Sequence, residues 1–263
     1  MIRQRLNWPI QLTVLAVFGG IRFTWQRPMS VCMGMTLSEC LGLAAAIVVL
    51  AGLTLALARG IWLVGGSRRA VRSLVLVPIP PALRAAIDRT GVDSALCLSD
   101  PEASAFCAGL LWPRIRVTTG LVDRLSPTEL DAVLLHEAEH ARRRDPLRRI
   151  VFRSLADAGF LIPLFAWWAA REHELSELRA DRAAIDAVGA RPVAAALLAL
   201  DSPSSTVGRA GFGGVATARV AQLLGDGHIA RPPSLPICVL SLTNITILVS
   251  LAMCIGQGAI TLL

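Results

Sequence analysis

The sequence has 263 residues, enough for one sizeable domain with additional segments. Hydrophobic residues make up 54% of it and charged residues 17%, against about 25% charged residues in typical soluble domains. A wholly soluble protein is therefore disfavoured, and part of the chain is expected to lie in a lipid bilayer. The net charge of +7 comes from arginine alone. These arginines cluster beside apolar runs, at 59–72 and 142–149, which indicates membrane orientation and disfavours direct binding of nucleic acid.

Three apolar stretches are candidates for crossing the bilayer. Residues 6–21 carry no charge but are short, and a secretory signal peptide is the alternative interpretation. Residues 40–58 and 235–263 are uncharged and come close to or exceed the roughly 20 residues that a span requires. Arginines directly after the second stretch predict that its end is cytoplasmic. We therefore expect a multi-pass protein of the cell membrane, with an N-terminal transmembrane region at 1–64 and a last span at 235–263.

Residues 65–234, between these spans, are predicted to form a domain on the cytoplasmic side. The segment 81–92 is typical of a short helix, and "ALCLSD", "SAFCAG" and "RIRVTT" are typical of short strands. The fold class is therefore α+β, mainly helical with a small β-sheet, inserted between transmembrane helices. Further helices are predicted at 126–144, 147–162, 164–189, 191–200 and 215–224.

The stretch "LLHEAEHARRRDPLRR" at 134–149 contains two of the four histidines of the chain. A capping box formed by Ser126 and Glu129 predicts that a helix begins just before it. Residues four apart share one face of a helix, so His136 and His140 point the same way. Two imidazoles in this arrangement can take two corners of a zinc tetrahedron.

Glu137 directly follows the first of these histidines. In this position a carboxylate can take a proton from a water molecule that attacks the substrate, so we predict that Glu137 is a catalytic base. The alternative is a solvated, charged helix that carries two surface histidines and binds no metal.

A catalytic zinc site requires a third protein ligand, which we expect in "REHELSELRADRAAID" at 171–186. Glu177 is the favoured ligand and His173 the alternative. Asp181 lies four residues after Glu177, on the same helix face, and is predicted to accept a proton from a ligand histidine. Glu172 and Glu174 are interpreted as the solvated start of this helix.

The segment between the two ligand helices is predicted to form a helical hairpin. A new helix is expected to begin at Asp145, before Pro146, and residues 151–170 resemble a further span. A single crossing would place Glu177 about 30 Å from His140. Only 36 residues lie between the two, whereas two full crossings would need roughly 40. The hairpin is therefore expected to dip into the bilayer or lie at its surface, and a buried core hairpin is the alternative.

Residues 105–149 and 163–186 resemble the membrane zinc peptidases of the BlaR/MecR type, which are gluzincins related to the HtpX peptidases. The motifs that carry the resemblance are H-E-x-x-H and the E-x-x-A-D around Glu177. It implies one zinc ion per chain, held by His136, His140 and Glu177, with Glu137 as catalytic base. It also implies that substrate is added as a strand to an edge strand formed by Ala105, Phe106, Cys107 and Ala108.

The sequence also departs from this family in two respects. Its best-known members carry a C-terminal β-lactam sensor domain, and this chain is expected to lack one because it reaches its last predicted span at 235–263. Relatives often stabilise the oxyanion with a His, Tyr or Arg, and this chain has no tyrosine. Arg219 is the candidate for that role and His228 the other, while a structural salt bridge is the alternative for Arg219.

The predicted function is hydrolysis of peptide bonds in a protein or peptide substrate at the cytoplasmic face of the membrane. By resemblance, that substrate would be a cytoplasmic transcriptional repressor in a signalling pathway. A membrane-protein quality-control protease of the HtpX type is an alternative. A non-catalytic membrane scaffold with a structural metal site is a third possibility, and a transporter is disfavoured because the two clearest spans carry no intramembrane charges.

Overall fold

The computed structural model describes residues 37–200, 213–225 and 232–260. The chain divides into two compact units, one comprising 47–249 and the other comprising 1–46 with 250–263. Within the second unit, helical backbone is described at 37–46 and 250–260. The first predicted span, at 6–21, and His228 lie outside the described residues.

The first described helix, α1, runs from Leu37 to Arg72 and contains the span predicted at 40–58. It continues without a break past residue 64, where the sequence suggested the end of the transmembrane region. Its segment Ala46–Arg72 is the one helix among the described residues that is long and apolar enough to cross a membrane, with a mean hydropathy of 2.2. The most apolar 18 residues of this segment are not buried inside the protein, which is the exposure expected of a lipid-facing helix.

The last helix, α9, spans Leu235–Ile260 and coincides with the third predicted span. Its described apolar part, Leu235–Ser250, is shorter than a bilayer requires. The structure thus supports one membrane span, and the multi-pass arrangement stays a prediction.

The predicted small β-sheet is present and has four strands in the order β1-β2-β4-β3. β1 pairs antiparallel with β2, β2 runs parallel to β4, and β3 pairs antiparallel with β4. In this order β3 lies at one edge of the sheet. Along β4, buried Ile115 and Val117 alternate with arginines, which is the period-two pattern of a strand that is buried on one face. The strand bounds are β1 Leu76–Val77, β2 Ala95–Leu98, β3 Ala105–Ala108 and β4 Arg114–Thr118.

Among the described residues, seven further helices between α1 and α9 form the rest of the body. The core between the sheet and the first of these helices contains Leu83, Leu121 and Leu134, all fully buried. The helices are α2 Pro81–Thr90, α3 Thr119–Arg124, α4 Pro127–Arg143, α5 Asp145–Ala158, α6 Pro163–Val188, α7 Ala190–Leu200 and α8 Gly213–Leu223.

Helix α4, which carries both site histidines, is fixed at its start. The Glu129 carboxylate accepts the backbone N–H of Ser126 at 2.8 Å, as expected from the capping box. One turn later, Arg89 of α2 donates two hydrogen bonds to the carboxylate of Asp131, at 2.8 and 2.7 Å. These contacts fix the helix against α2 as well as against the core.

The segment between α4 and α6 forms the helical hairpin expected from the sequence. α5 ends at Ala158 and α6 begins at Pro163, so the chain reverses direction within four residues, 159–162. We call residues 159–162, with Pro163 and Leu164, the hairpin tip. Gly159 permits this turn, because a Cβ at that position would lie 2.2 Å from the ring of Phe165. The reversal brings α6 back alongside α4. Its predicted entry into the bilayer stays a prediction.

Both long apolar helices contact this hairpin. At the tip, Ser241 of α9 accepts the backbone N–H of Leu164 at 3.0 Å, and the Asn244 amide donates to the carbonyl of Leu161. On the other side, glycines of α1 allow its close approach to α5, and Arg59 of α1 pairs with Asp157 at 3.1 Å. The hairpin is thus held by an ion pair on one arm and, at its tip, by hydrogen bonds to backbone groups that lack a partner within a helix.

Candidate active site and metal centre

Three side chains from α4 and α6 converge on one point. His136 and His140 lie on the buried face of α4, and Glu177 faces them from α6. The close approach of the two helices is possible because Ala180 and Ala184 of α6 are fully buried and small. One ligand atom from each of the three residues lies within 4.8 Å of the others.

The distances within this group match a metal site. The two histidine Nε2 atoms are 3.2 Å apart. Glu177 Oε1 lies 3.6 Å from His140 Nε2, and Oε2 lies 3.8 Å from His136 Nε2. Ligand atoms about 2.0–2.1 Å from a tetrahedral zinc are about 3.3 Å apart, close to these separations. Two imidazoles and one carboxylate are also a ligand set of catalytic zinc, so the residues present fit this ion.

Asp181 orients the first histidine. Its Oδ1 lies 2.9 Å from His136 Nδ1, so this nitrogen donates and Nε2 faces the ligand group. Asp181 is fully buried, which alone would raise its pKa. The hydrogen bonds from His136 and Arg219 outweigh that burial and lower the pKa of Asp181, so it stays charged. Asp181 thus lies within hydrogen-bonding distance of His136, and its role beside a metal ligand stays a prediction.

Asp145 orients the second histidine in the same way, a contact that the sequence analysis missed. His140 Nδ1 donates to Asp145 Oδ2 at 2.7 Å, and Ser176 Oγ donates to the same oxygen at 2.5 Å. Burial would raise the pKa of Asp145, but these two hydrogen bonds lower it to about 2. Burial likewise opposes the charged form of His140. The Asp145 hydrogen bond and the nearby carboxylates nevertheless raise the pKa of His140.

A left-handed residue makes the Asp145 contact possible. Arg144 has φ 54° and ψ 42° and stands between the end of α4 and the start of α5. Its N–H bonds to the carbonyl of Ala141 at 3.1 Å, which terminates α4 and redirects the chain. Asp145 is thereby folded back onto His140, five residues earlier. The sequence signal was an acidic residue just past the end of the helix, and we interpreted it only as the start of α5.

Two arginines contact the carboxylate of Glu177. Arg149 Nη2 donates to Oε1, and Arg219 Nη1 lies 3.3 Å from Oε2. Burial would raise the pKa of Glu177, but the positive charges of the site histidines and of these arginines lower it. Arg219 also donates to both oxygens of Asp181, at 2.6 and 2.7 Å. The salt bridge considered as the alternative for Arg219 is therefore present.

Helix α4, which carries Glu137, packs against the edge strand β3. Burial raises the pKa of the Cys107 thiol to about 12, and the negative charge of Glu137 is the next cause. Cys107 is the third residue of β3, so the predicted base and the predicted substrate strand lie near each other. Among the described strands, β3 pairs with β4 alone.

The other predicted candidates lie around this group. His173, the alternative ligand, has its Nδ1 3.9 Å from Glu177 Oε1 and is not one of the three converging residues. Glu172 contacts Arg148 and Arg179, and Glu174 contacts Arg171 at 2.7 Å. The sequence analysis expected these two glutamates to be solvated at a helix start, but they lie well inside α6, which begins at Pro163, and take part in ion pairs.

Comparison with known proteins gives a partial match that includes the site. Residues 82–177 match Peptidase family M48, a range that contains Glu137 and all three candidate ligands. The chain is 38% identical over 82 residues to Protease HtpX homolog 2 of Methanosarcina mazei, which is 31% of this chain and 25% of the relative. It is 36% identical over 89 residues to Protease HtpX homolog of Moorella thermoacetica, covering 34% and 27%.

A third relative, Protease HtpX of Legionella pneumophila, is 35% identical over 81 residues, or 30% of this chain and 29% of the relative. The chain thus spans less than a third of the length of the curated relatives it matches. The family match begins in α2, runs through β2, β3, β4 and α4, and ends at Glu177 in α6, so it contains the residues that build the site. Residues 82–177 are thus similar to Peptidase family M48, and this match includes the converging His136, His140 and Glu177.

Proposed function

We propose that this chain is a membrane-bound, zinc-dependent endopeptidase that hydrolyses peptide bonds of a protein substrate at the cytoplasmic membrane face. One observation carries the proposal. His136, His140 and Glu177 offer three ligand atoms at zinc-like separations, and a buried carboxylate holds each histidine in the tautomer that a metal requires. A protein that used these residues only to stabilise its fold would not need Glu137 directly after a ligand histidine. The substrate is proposed to bind in a cleft between β3 and the ligand group.

The residues of the chain divide the chemistry among them. Zinc held by His136, His140 and Glu177 would polarise the substrate carbonyl and make water more acidic. Glu137 takes the proton of the attacking water and returns it to the amine that leaves. Asp181 and Asp145 keep the ligand nitrogens aimed at the same point throughout.

The free edge of β3 is the proposed binding site for the substrate backbone. An extended peptide can add to this edge through main-chain hydrogen bonds, which give affinity without strict sequence preference. Such binding requires an unfolded or extended segment of the substrate. A folded domain would be cut only where a loop or terminus can reach the cleft.

Two classes of protein substrate fit this cleft. The relatives that match the site are named as HtpX proteases, and the membrane helix α1 adjoins the site hairpin. This combination favours a membrane-protein substrate in the manner of a quality-control protease. The second class is a cytoplasmic repressor, as in the BlaR/MecR type.

The test compares the purified chain with Glu137→Gln and Glu139→Gln, using a library of fluorescence-quenched peptides and metal analysis by mass spectrometry. Glu139 is the matched control, because it lies two residues on and pairs with Arg142 and Arg143 away from the ligand group. We expect Glu137→Gln to lower kcat by about 10²–10⁴-fold and to retain zinc. Glu139→Gln should keep both activity and zinc. Zinc binding without cleavage by the unmodified chain would favour the scaffold alternative.

The substrate class is tested with the same inactive variant. Glu137→Gln, expressed in cells and cross-linked, should retain uncleaved substrate in its cleft. Mass spectrometry of the cross-linked material would then show either membrane proteins, as we propose, or a soluble DNA-binding protein. The second outcome would favour the signalling role.

A further inference from the structure

A partly open cavity of about 700 Å³ lies between the two arms of the hairpin. Most of its lining residues on α5 recur every three or four positions from Asp145 to Asp157, and α6 supplies a facing stripe from Ala166 to Ser176. Small side chains on these stripes leave the space between the arms unfilled. They are Ala156, Ala166, Ala169 and Ala170. A volume of this size is typical of a site for a small organic ligand.

The lining changes from polar to apolar along the hairpin. The end nearest the candidate metal centre is lined by Arg148, Glu172 and His173, whereas the part toward the hairpin tip is lined by Phe152 and the four alanines. Phe152 packs edge-on against Trp168, which is 47% exposed, and tryptophan in such a position is common at membrane interfaces. The cavity thus has a polar end and an apolar end, as a phospholipid does.

Membrane-facing surfaces border the same cavity. Leu63 of α1 lines it, and this residue belongs to the segment Ala46–Arg72, which is apolar enough to cross a membrane. The outer face of the hairpin is apolar as well, with Val151, Leu155 and Phe160 all exposed. These surroundings favour a lipid over a water-soluble molecule as the occupant of the cavity.

Arginines outnumber carboxylates at the rim of the cavity. Two carboxylates are each shared by two arginines, so each group of three carries one net positive charge. The groups are Asp157 with Arg59 and Arg153, and Glu172 with Arg148 and Arg179. The side chains of Arg153 and Arg148 are 64% and 36% exposed, so both guanidinium groups can contact a further anion. Asp145, the other lining carboxylate, is buried and already bonded to His140 and Ser176.

We propose that the hairpin cavity binds one anionic phospholipid, with its phosphate at Arg148 and Arg153 and an acyl chain against Phe152 and the alanines. Basic pockets between membrane helices bind such headgroups. An extended peptide is a poorer occupant, because the lining residues lie on helices whose backbone groups are already paired and offer no strand edge. A lipid that contacts both arms would fix their spacing, and one arm carries Glu177. The inference does not depend on the proposed peptidase function.

The test measures lipid binding to the detergent-purified full chain by native mass spectrometry. The probes are phosphatidylglycerol, phosphatidylcholine with the same acyl chains, and glycerol phosphate, which carries the charge of the headgroup without a chain. Thermal unfolding of each variant shows whether it is folded.

The charge variant combines Arg148→Gln with Arg153→Gln. Glu172 then keeps Arg179 and Asp157 keeps Arg59, so neither carboxylate loses its last partner. The matched control combines two exposed arginines that do not line the cavity, Arg124→Gln and Arg142→Gln; Glu139 then keeps its contact with Arg143.

The cavity variant is Ala169→Phe, which fills the apolar part of the space between the arms. Its control is Ala187→Phe, because Ala187 is an exposed residue near the other end of the same helix. Both substitutions add the same ring to α6, but only the first is at the cavity.

We expect one phosphatidylglycerol per chain, bound about 30-fold more tightly than phosphatidylcholine, since each of the two arginines contributes about 1 kcal/mol. The charge variant should lose this preference while its affinity for phosphatidylcholine stays the same. Ala169→Phe should weaken the binding of both lipids. Both control variants should bind like the unmodified chain.

Four results would overturn the inference. Equal affinity of the unmodified chain for the two lipids would exclude recognition of the charged headgroup. Glycerol phosphate bound as tightly as phosphatidylglycerol would make this a site for a soluble anion. An equal loss in the two arginine variants would indicate nonspecific attraction to positive charge, and unchanged binding by Ala169→Phe would place the lipid outside the cavity. If the charge variant did not fold, the comparison of the two lipids on the unmodified chain and the Ala169→Phe variant would still decide the question.

Discussion

Replacing Asp145 by Asn should weaken zinc binding by about 10–100-fold, because Asp145 is the group that orients His140. Asp145 is 3% exposed, and its side chain accepts hydrogen bonds from His140 and Ser176 at 2.7 and 2.5 Å. A pKa of about 2, against an ordinary 3.8, corresponds to about 2 kcal/mol of preference for the charged carboxylate. An affinity loss of 10–100-fold is about 1.4–2.7 kcal/mol, so the two magnitudes agree.

The assay is competition for zinc between the purified protein and a chromophoric chelator at pH 7. Asp157→Asn is the control, because Asp157 is also an acidic residue of α5 but pairs with Arg59 and Arg153 instead of a site histidine. The pKa of Asp145 is depressed, so its contribution is present above about pH 4 and is lost as the pH falls from 3.8 toward 2. At pH 7 the contribution is complete, and the comparison measures it in full.

A zinc affinity of Asp145→Asn within twofold of that of the unmodified chain would refute this reasoning. It would mean that Ser176 and the helix geometry alone hold the His140 ring in place. If Asp157→Asn weakened zinc binding as much as Asp145→Asn, the effect would be a general loss of negative charge. The 2.7 Å contact between Asp145 and His140 would then have no special role.

Three further predictions concern the same site and its entry turn. Glu177→Ala should lose the zinc that the unmodified chain and Glu174→Ala retain, at about one ion per chain by mass spectrometry; equal retention would exclude Glu177 as a ligand. As the pH is lowered, zinc affinity should begin to fall at a pH above 6.5, the ordinary pKa of histidine, because the pKa of His140 is raised and protons compete with zinc for its lone pair. A loss of affinity that begins only below pH 6.5 would contradict this. Arg144→Gly should stabilise the fold by up to about 1 kcal/mol and raise Tm in a thermal unfolding scan, since a φ of 54° is strained for a residue with a Cβ atom. A lowered Tm would show that the Arg144 side chain stabilises the turn.

The parts of the site that lie on one helix were predictable from sequence. Spacing of four residues determines that His136 and His140 share a face, whatever the rest of the fold does. The third ligand, Glu177, was favoured because Asp181 follows it by four residues on the same helix face. The hairpin was then inferred from that ligand. Chain length ruled out two full crossings between His140 and Glu177, and this favoured the hairpin that the structure contains.

The missed contacts depend on tertiary placement. Asp145 reaches His140 only because Arg144 adopts a left-handed conformation, which is rare for arginine and has no sequence signature here. Arg149 belongs to a basic run that we assigned to the membrane surface, and only the return of α6 brings Glu177 to it. Strand β1 has two residues, too few for any periodic pattern, and its pairing with β2 is set by the fold.

The contact of α9 with the hairpin tip has a consequence for how the protein is made. Ser241 and Asn244 satisfy the backbone groups of Leu164 and Leu161, and both are synthesised well after Glu177. Until α9 emerges and packs, those groups lack these partners and the hairpin that carries the third ligand is less firmly held. In a nascent chain, therefore, the two histidines are present before the position of Glu177 is firmly fixed. The order of synthesis would delay assembly of the proposed metal site until the last described helix is in place.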